Sequence, residues 1–180
     1  MARLPYVSRE DLSAEEREVF DEHERERGTP PGHIHRMIAN APNLLRRFSA
    51  FALELRNHTR LDPRLRELAL MTVGRIAGAE YEFVHHWNIA LRAGVRREQL
   101  EQLAEFERSP AFNQPERAVM RYAAEATTSI KVSDQTFDAL RGFLDHRRIM
   151  ELAMNVAFYN AVVRIIVPLG VELEPDAHKN

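Results

Sequence analysis

The sequence predicts a single all-α domain over residues 1–180, a bundle of about eight or nine helices. Apolar residues recur three and four positions apart along most of the chain, as on the buried face of an amphipathic helix. Proline and helix-capping side chains stand where these segments begin, and glycine stands where they end. No alternating pattern longer than four residues indicates a β-strand, and no repeat divides the chain. At this length one domain buries roughly 70% of its unfolded surface.

The first helices are predicted from their start signals. A capping box at residues 13–16 precedes an acidic, exposed helix that we expect to end near Glu24. Glycine and proline at 28–32 break the chain, and Pro42 opens the next apolar segment at helical spacing. An Asp-Pro pair at 62–63 supplies an N-cap and a first-turn proline for a strongly apolar helix.

The second half of the chain continues the helical pattern. Gly78 marks a break, and Gly94 closes the helix that follows it. The helices predicted after Gly78 run over about 79–93, 96–106, 116–129, 133–144 and 146–167. The last of them is apolar nearly all round, and a helix without a polar face lies in the protein interior or at a subunit interface.

Composition limits the possible functions. The 44% of hydrophobic and 29% of charged residues are typical of an ordinary globular protein, and a net charge of −2 offers no basic face for nucleic acid. No apolar run approaches the ~20 residues that cross a bilayer, and the N-terminus lacks the apolar core of a secretory signal. We therefore expect a cytoplasmic protein that acts on a small molecule, with neither a nucleic-acid nor a membrane partner.

A carboxylate and an imidazole are placed together in the middle of the chain. Glu82 and His86 are four residues apart and share one helical face, which His85 flanks. A carboxylate beside an imidazole raises the pKa of the histidine and fixes its orientation, which suits general acid–base catalysis. An ordinary surface pair is the alternative, but the neighbouring residues are too apolar for a solvated face. Glu67 also lies in an apolar helix, where a carboxylate needs a partner or has a raised pKa.

Other polar residues are candidates for lining a pocket. His33 and His35 alternate in what reads as a short loop, so both side chains are able to turn into one pocket, although a solvent-facing loop is the alternative. Arg164 lies on the apolar last helix and would either hold a substrate carboxylate or pair with an internal glutamate. The remaining histidines stand among charged residues and are expected to be exposed: His23, His58, His146 and His178.

A metal site at the same cluster is an alternative interpretation. Two glutamates and two histidines on adjacent helices are similar to the carboxylate–histidine sites of helical bundles. Such di-metal sites repeat a Glu-x-x-His unit on two helices, and Glu82–His85 is the only such unit in this cluster. We therefore expect no bound metal.

The spacing from Glu67 to His86 resembles the carboxymuconolactone decarboxylase superfamily, which includes the alkylhydroperoxidase D-like proteins. Its redox members have Glu, eleven residues, Cys-x-x-Cys, three residues and His, and here the two cysteine positions hold Ala79 and Glu82. Ala-Gly-Val at 93–95 is also similar, and the likeness extends over about residues 30–175. The resemblance implies an all-helical, alkylhydroperoxidase D-like fold, assembly into trimers or hexamers, and a pocket near the glutamates and the histidine.

The resemblance does not imply thiol chemistry. The chain has no cysteine, and a thiol peroxidase requires a thiolate. The decarboxylase branch uses a Glu-x-x-x-His unit without a cysteine pair, which Glu82 and His86 match. The leading hypothesis is a cofactor-independent lyase-like enzyme in which His86, oriented by Glu82 and tuned by Glu67, moves a proton on a small organic acid or lactone. The alternative is a non-catalytic or ligand-binding oligomeric member.

Overall fold

Nine α-helices form the framework of residues 1–179, which the computed structural model describes, and no β-strand occurs in that range. Short 3-10 helices at Arg9–Asp11 and Leu103–Glu105 complete the regular structure. The nine helices are α1 (Glu18–Arg27), α2 (His33–Ile38), α3 (Pro42–Asn57), α4 (Pro63–Ile76), α5 (Glu80–Arg92), α6 (Arg97–Glu101), α7 (Gln114–Thr128), α8 (Asp134–Arg141) and α9 (His146–Leu169). The prediction of an all-α fold is confirmed.

Helix α4 is the centre of the bundle. It packs against α5, α7 and α9, and every residue from Leu65 to Gly74 is buried. The predicted start signal forms, because the Asp62 side chain accepts a hydrogen bond from the backbone N–H of Arg64 at 2.8 Å. Burial of apolar side chains on all sides of α4 supplies much of the folding free energy. A polar residue on this helix, such as Glu67, is therefore fixed in position by its surroundings.

A tight turn joins α4 to α5. Gly78 has φ of 61° in the left-handed region, which glycine adopts without the steric cost that a Cβ atom brings. The turn lets α5 begin at Glu80, immediately after α4 ends at Ile76, and pack against it. Side chains from the two helices that carry the predicted acid–base residues consequently face each other.

Helix α9 is half buried and half exposed. It packs against α3, α4, α7 and α8, which accounts for its buried apolar residues, whereas Met150, Met154 and Val167 lie on the surface. Among the helices of residues 1–179, α9 is the one that is long and apolar enough to cross a bilayer. This finding differs from the prediction that no apolar run approaches the length of a membrane span. The same composition is typical of a core helix of a soluble protein, so this is weak evidence for a membrane span.

Two elements near the N-terminus differ from the prediction. The capping box joining Ser13 and Glu16 forms, at 3.0 and 3.3 Å, but it stabilises a turn and α1 begins only at Glu18. Helix α2 lies where an irregular segment was expected. The backbone N–H of His33 in its first turn donates to Glu174 at 2.6 Å, a contact across 141 positions that no local pattern reveals.

Candidate functional site

A cavity of about 460 Å³ reaches into the protein beside α5, a size suited to a small molecule. Helices α1, α2, α3, α5 and α9 and the C-terminal segment contribute its walls. Its polar lining residues are His23, Arg27, Thr29, His35, Arg56, Tyr81, Glu82, His85, His86, Tyr159, Glu174 and Asp176. The cavity therefore brings together Glu82, His85, His86 and His35 among the predicted site residues.

His86 lies between two carboxylates. Its Nδ1 is 2.7 Å from Glu67 Oε2, and its Nε2 is 3.3 Å from Glu82 Oε2. All three residues are buried, with exposed fractions of 1% for Glu67, 7% for Glu82 and 5% for His86. Glu82 and His86 line the cavity and Glu67 does not, so Glu67 acts on a ligand only through the imidazole.

Arg66 holds Glu67 in its ionised form. Its Nε donates to Glu67 Oε1 at 3.0 Å, and its guanidinium also donates to the backbone carbonyl of Arg56 near the end of α3 at 2.8 Å. Burial acts to raise the pKa of Glu67, but the charges and hydrogen bonds of His86 and Arg66 outweigh it and hold that pKa below its ordinary value. An ionised Glu67 accepts the Nδ1–H of His86, which leaves Nε2 to face Glu82.

Glu82 is shifted in the opposite direction. Burial raises the pKa of its carboxyl group, and Glu67 adds to that rise, although the positive charges of His86, His85 and Arg56 act against it. A carboxyl group with a raised pKa retains a proton near neutral pH more readily than an ordinary glutamate. At 3.3 Å the carboxyl group of Glu82 and Nε2 of His86 are close enough to share one proton.

Tyr159 from α9 covers the imidazole of His86. The ring centroids are 4.8 Å apart and the planes are perpendicular, so the edge of one ring meets the face of the other. Burial raises the pKa of Tyr159, with the nearby carboxylates Glu82 and Glu67 adding to the shift, and the phenol therefore stays neutral. Tyr159 provides a hydroxyl group and an apolar surface beside the acid–base pair.

His85 lies at the rim and pairs with the C-terminal segment. Its Nε2–H donates to Glu174 at 2.7 Å, and the Tyr81 hydroxyl donates to the same carboxylate at 2.9 Å. Burial tends to raise the pKa of Glu174, but these bonds and the backbone N–H of His33 lower it to about 2. An ionised Glu174 therefore fastens the C-terminal segment beside the cavity.

The two histidines of α2 point in different directions. His35 lines the cavity, and its ring meets that of His23 edge-on with centroids 4.3 Å apart. His33 does not line the cavity, because its Nδ1–H donates to the carbonyl of Glu172 at 2.8 Å and its ring stacks on Tyr6. Residues two apart share a pocket in an extended loop but not on a helix, which explains the difference from the prediction.

Two further expectations differ from the structure. Arg164 was expected to be buried, but it is exposed, and its guanidinium donates to the backbone and side-chain oxygens of Asn160 at 2.8 and 2.6 Å. It does not line the cavity. His23 was expected to be exposed, but it is only 4% exposed and forms part of the cavity wall. Charged neighbours in sequence do not reveal which face of α1 is buried.

Sequence reasoning missed several residues of the site. Arg66 stands beside Glu67 in an apolar helix, and a buried guanidinium next to a buried carboxylate was a readable signal. The sequence contains no such signal for Arg56, Tyr159 and Glu174, because their positions in the site depend on tertiary contacts. Within residues 1–179, no group of three or more His, Asp or Glu side chains is positioned to hold a metal ion. His85 faces Glu174, which separates it from the Glu82–His86 contact.

Comparisons with known proteins agree with this fold. The sequence profile of the carboxymuconolactone decarboxylase family matches residues 42–125, which run from α3 into α7 and include the glutamates and the histidine. No curated protein sequence matches the chain. A peroxidase-related protein from Silicibacter sp. TM1040 superimposes with a TM-score of 0.82 at 20% identity, over 98% of this chain and 94% of that one.

Two other solved structures are similar. An alkylhydroperoxidase AhpD core protein from Ralstonia eutropha JMP134 has a TM-score of 0.82 at 19% identity, covering 97% and 93% of the two chains. The debrominase Bmp8 without ligand has a TM-score of 0.76 at 25% identity, covering 94% and 90%. The family profile therefore identifies residues 42–125 as a carboxymuconolactone decarboxylase family segment, the solved structures show an alkylhydroperoxidase D-like fold, and the sequence contains no cysteine.

Proposed function

We propose that the protein is a cofactor-independent acid–base enzyme that moves a proton on a small organic acid or lactone, by decarboxylation or a related reaction. The observation that carries the proposal is the inner end of the cavity. There His86 lies between Glu67 and Glu82, two carboxylates whose pKa values are shifted in opposite directions. Carboxyl groups with pKa values driven apart by their surroundings are typical of acid–base sites.

The geometry assigns different roles to the two glutamates. Sequence reasoning expected Glu82 to orient His86, but Glu67 makes the shorter contact, at 2.7 Å, and is itself fixed by Arg66. Glu67 is therefore the orienting group. Glu82 and His86 Nε2 form the part of the site that meets the ligand, and the proton they share is available for transfer.

Decarboxylation at this site balances without a cofactor. The carbon–carbon bond to the leaving carboxylate breaks, carbon dioxide departs, and the electron pair remains on the substrate as an enolate. The proton shared by Glu82 and His86 then forms a carbon–hydrogen bond, and a proton from solvent restores the pair. The guanidinium of Arg56 lies in the same cavity and would stabilise the developing enolate oxygen.

The comparisons support a small-molecule enzyme and limit its chemistry. One relative is peroxidase-related, but a thiol peroxidase requires a thiolate and this sequence contains no cysteine. A cysteine-to-alanine variant of the debrominase Bmp8 was solved with 2,3,4-tribromopyrrole, at 23% identity to this chain, so a small ring binds to a protein of this fold. A non-catalytic role is the alternative, and a cavity that reaches the acid–base pair favours catalysis over it.

The test measures proton transfer directly. The purified protein is incubated in D₂O with a panel of small lactones and carboxylic acids that carry a carbon acid beside a carbonyl group. Carbon–hydrogen exchange is followed by NMR and carbon dioxide release by a coupled assay. We expect His86→Ala and Glu82→Gln to lower the rate by ~10²–10⁴-fold, the usual contribution of positioned acid–base catalysis.

The chain provides a matched control for this experiment. Glu54 and His58 have the same four-residue spacing as the catalytic pair and are 2.8 Å apart, but both are exposed. His58→Ala should keep the wild-type rate. Full activity in His86→Ala would refute the proposal. A wild-type protein that turns over no member of the panel would instead favour the ligand-binding role.

A further inference from the structure

One part of the cavity wall is made of cationic and imidazole side chains, and Arg56 lies close enough to the acid–base pair for its charge to act on Glu82. We call it the basic end, and it consists of His23, Arg27, His35 and Arg56. His23 and Arg27 are four residues apart on one face of α1, while the other two come from α2 and α3. Three different helices, α1, α2 and α3, therefore contribute to one wall of the cavity.

Several polar atoms at the basic end have no hydrogen-bond partner. Among residues 1–179, Nδ1 of His23, Nδ1 of His35 and Nε of Arg27 are buried and unbonded. His23 is only 4% exposed, so water outside the protein does not reach its ring freely. Buried polar groups are bonded in the great majority of cases, and three exceptions occur here on residues that line one cavity.

Among residues 1–179, neither Arg27 nor Arg56 at the basic end forms an ion pair, although Glu26 acts on Arg27 and the charge of Arg56 acts on Glu82. Burial lowers the pKa of Arg27, and the nearby guanidinium of Arg56 lowers it further, as expected for two cations that share a site. The acidic residues of the cavity wall are engaged elsewhere or lie at the surface. Glu82 pairs with His86, Glu174 pairs with His85, and Asp176 is exposed.

A continuous series of ring contacts connects the basic end to the acid–base pair. The ring of His35 lies 6.4 Å from Phe48, and Phe48 lies 5.0 Å from Phe158. Phe158 in turn lies 5.7 Å from Tyr159, which covers His86. All of these rings line the cavity, so its wall offers aromatic surfaces to a flat ligand between its two polar ends.

We propose that the basic end is an anion-binding subsite that holds the carboxylate of a planar, conjugated or aromatic substrate, whose reacting carbon then lies against Glu82 and His86. This inference rests on the proposed function and names the substrate class for the same cavity. A carboxylate accepts from two guanidinium groups and two imidazoles, and charge-assisted bonds of this kind are the stronger ones in proteins. The subsite lies before residue 42 in three of its four members, outside the range matched by the family profile.

Binding at the basic end should take up protons. Burial lowers the pKa of His23 to about 4, and burial with the charges of His23, Arg27 and Arg56 lowers that of His35. Both rings are thus neutral near pH 7, and a bound carboxylate favours their charged forms. Affinity should therefore rise as the pH falls from 7.5 to 5.5. The other charged and titratable groups that line the same cavity as the two rings are Arg27, Arg56, Tyr81, Glu82, His85, His86, Tyr159, Glu174 and Asp176.

The binding test uses benzoate as the planar carboxylate and benzamide as its uncharged counterpart. Isothermal titration calorimetry on the full chain should detect benzoate binding, with benzamide weaker by at least ~tenfold. Arg27→Gln and Arg56→Gln should each weaken benzoate by a similar factor. Arg164→Gln is the control, because that arginine is exposed and does not line the cavity, and it should bind benzoate as the wild type does.

A second measurement does not depend on variants. In protein with isotope-labelled histidine, the NMR-detected pKa values of His23 and His35 should rise when benzoate is added, while the resonances of exposed His58 should not move. No wild-type binding of benzoate, equal affinity for benzoate and benzamide, or unchanged affinity in both arginine variants would overturn the proposal. Unchanged pKa values of His23 and His35 on addition of benzoate would also overturn it.

The two proposals fail separately. His86→Ala removes the acid–base group but leaves the basic end intact, so it should bind benzoate with wild-type affinity while losing proton transfer. If it loses both, the anion is held at the acid–base pair and the subsite is wrong. If proton transfer is absent in the wild type but benzoate binds as described, the proposed reaction is wrong and the subsite holds.

Discussion

Two glutamates contact the same imidazole, and their neighbours decide how each behaves. Glu67 has Arg66 on its other oxygen and is held ionised, whereas Glu82 lacks such a partner and its pKa is raised by burial. The pattern of residue types alone predicted a carboxylate–imidazole site in which Glu82 orients His86, whereas Glu67 makes the shorter contact with the imidazole. Arg66 accounts for the different behaviour of the two glutamates. The sequence shows that it is adjacent to Glu67 but not where its side chain points.

Replacing Glu67 should cost more stability than replacing Glu82. Glu67→Gln leaves the buried guanidinium of Arg66 without its counter-charge, and breaking a buried ion pair on one side costs about 3–5 kcal/mol. Glu82→Gln exchanges a carboxyl group with a raised pKa for an amide of the same shape, so its cost should be smaller. Urea unfolding at pH 7 measures both, with the exposed Glu54→Gln as the control. Equal losses for the two buried positions would contradict the assignment.

At the scale of helices, local signals predicted most of the architecture. The Asp62 cap and Gly78 gave the start of α4 and its turn into α5, so the sequence placed Glu67 and the Glu82–His86 pair on two consecutive helices. Helix α2 was not predicted, because its first turn is stabilised by a hydrogen bond to the carboxylate of Glu174, 141 positions away in the sequence. The basic end was not predicted for the same reason. His23, His35 and Arg56 come together only through the packing of α1, α2 and α3.

The contact between Glu174 and α2 should make stability depend on pH. Glu174 has a pKa of about 2 in the folded protein against an ordinary value of 4.5, so its contribution is complete above pH 4.5 and is lost as the pH falls through about 2. Glu174→Gln should be less stable than wild type by about 1–3 kcal/mol at pH 7. That difference should shrink between pH 4.5 and 2.

Urea unfolding at pH 7, 4 and 3 tests this dependence. Glu172→Gln is the matched control, because Glu172 lies in the same segment but is exposed and pairs only with the N-terminal amine. It should show little difference from wild type at any of these pH values. A loss in Glu174→Gln that stays constant down to pH 3 would show that the carboxylate charge does not stabilise the segment.

At the scale of the whole molecule, one surface carries more apolar residues than a soluble monomer needs. The large exposed apolar residues on α3 and α9 are Leu44, Phe51, Met150, Met154 and Val167. The exposed positions 150, 154, 157, 161 and 164 of α9 alternate in steps of four and three, the spacing of a helix that packs along another helix. Exposed apolar side chains on packed helices are typical of a protein–protein contact, and we expect those of α3 and α9 to mediate self-association into the trimer or hexamer that the family resemblance implies.

Charges on this surface should dissociate the assembly. A Met150→Glu/Met154→Glu variant places two carboxylates in the expected interface, where they would be desolvated without a partner, and it should be monomeric. Ile130→Glu is the control, since Ile130 is also an exposed apolar residue, 76% accessible, but follows α7 and belongs to neither α3 nor α9. Light scattering at micromolar concentration measures the molar mass of each variant, and circular dichroism verifies that its helicity is unchanged. A monomeric wild type, or equal dissociation by the Ile130 variant, would show that the apolar surface of α9 does not hold the subunits together.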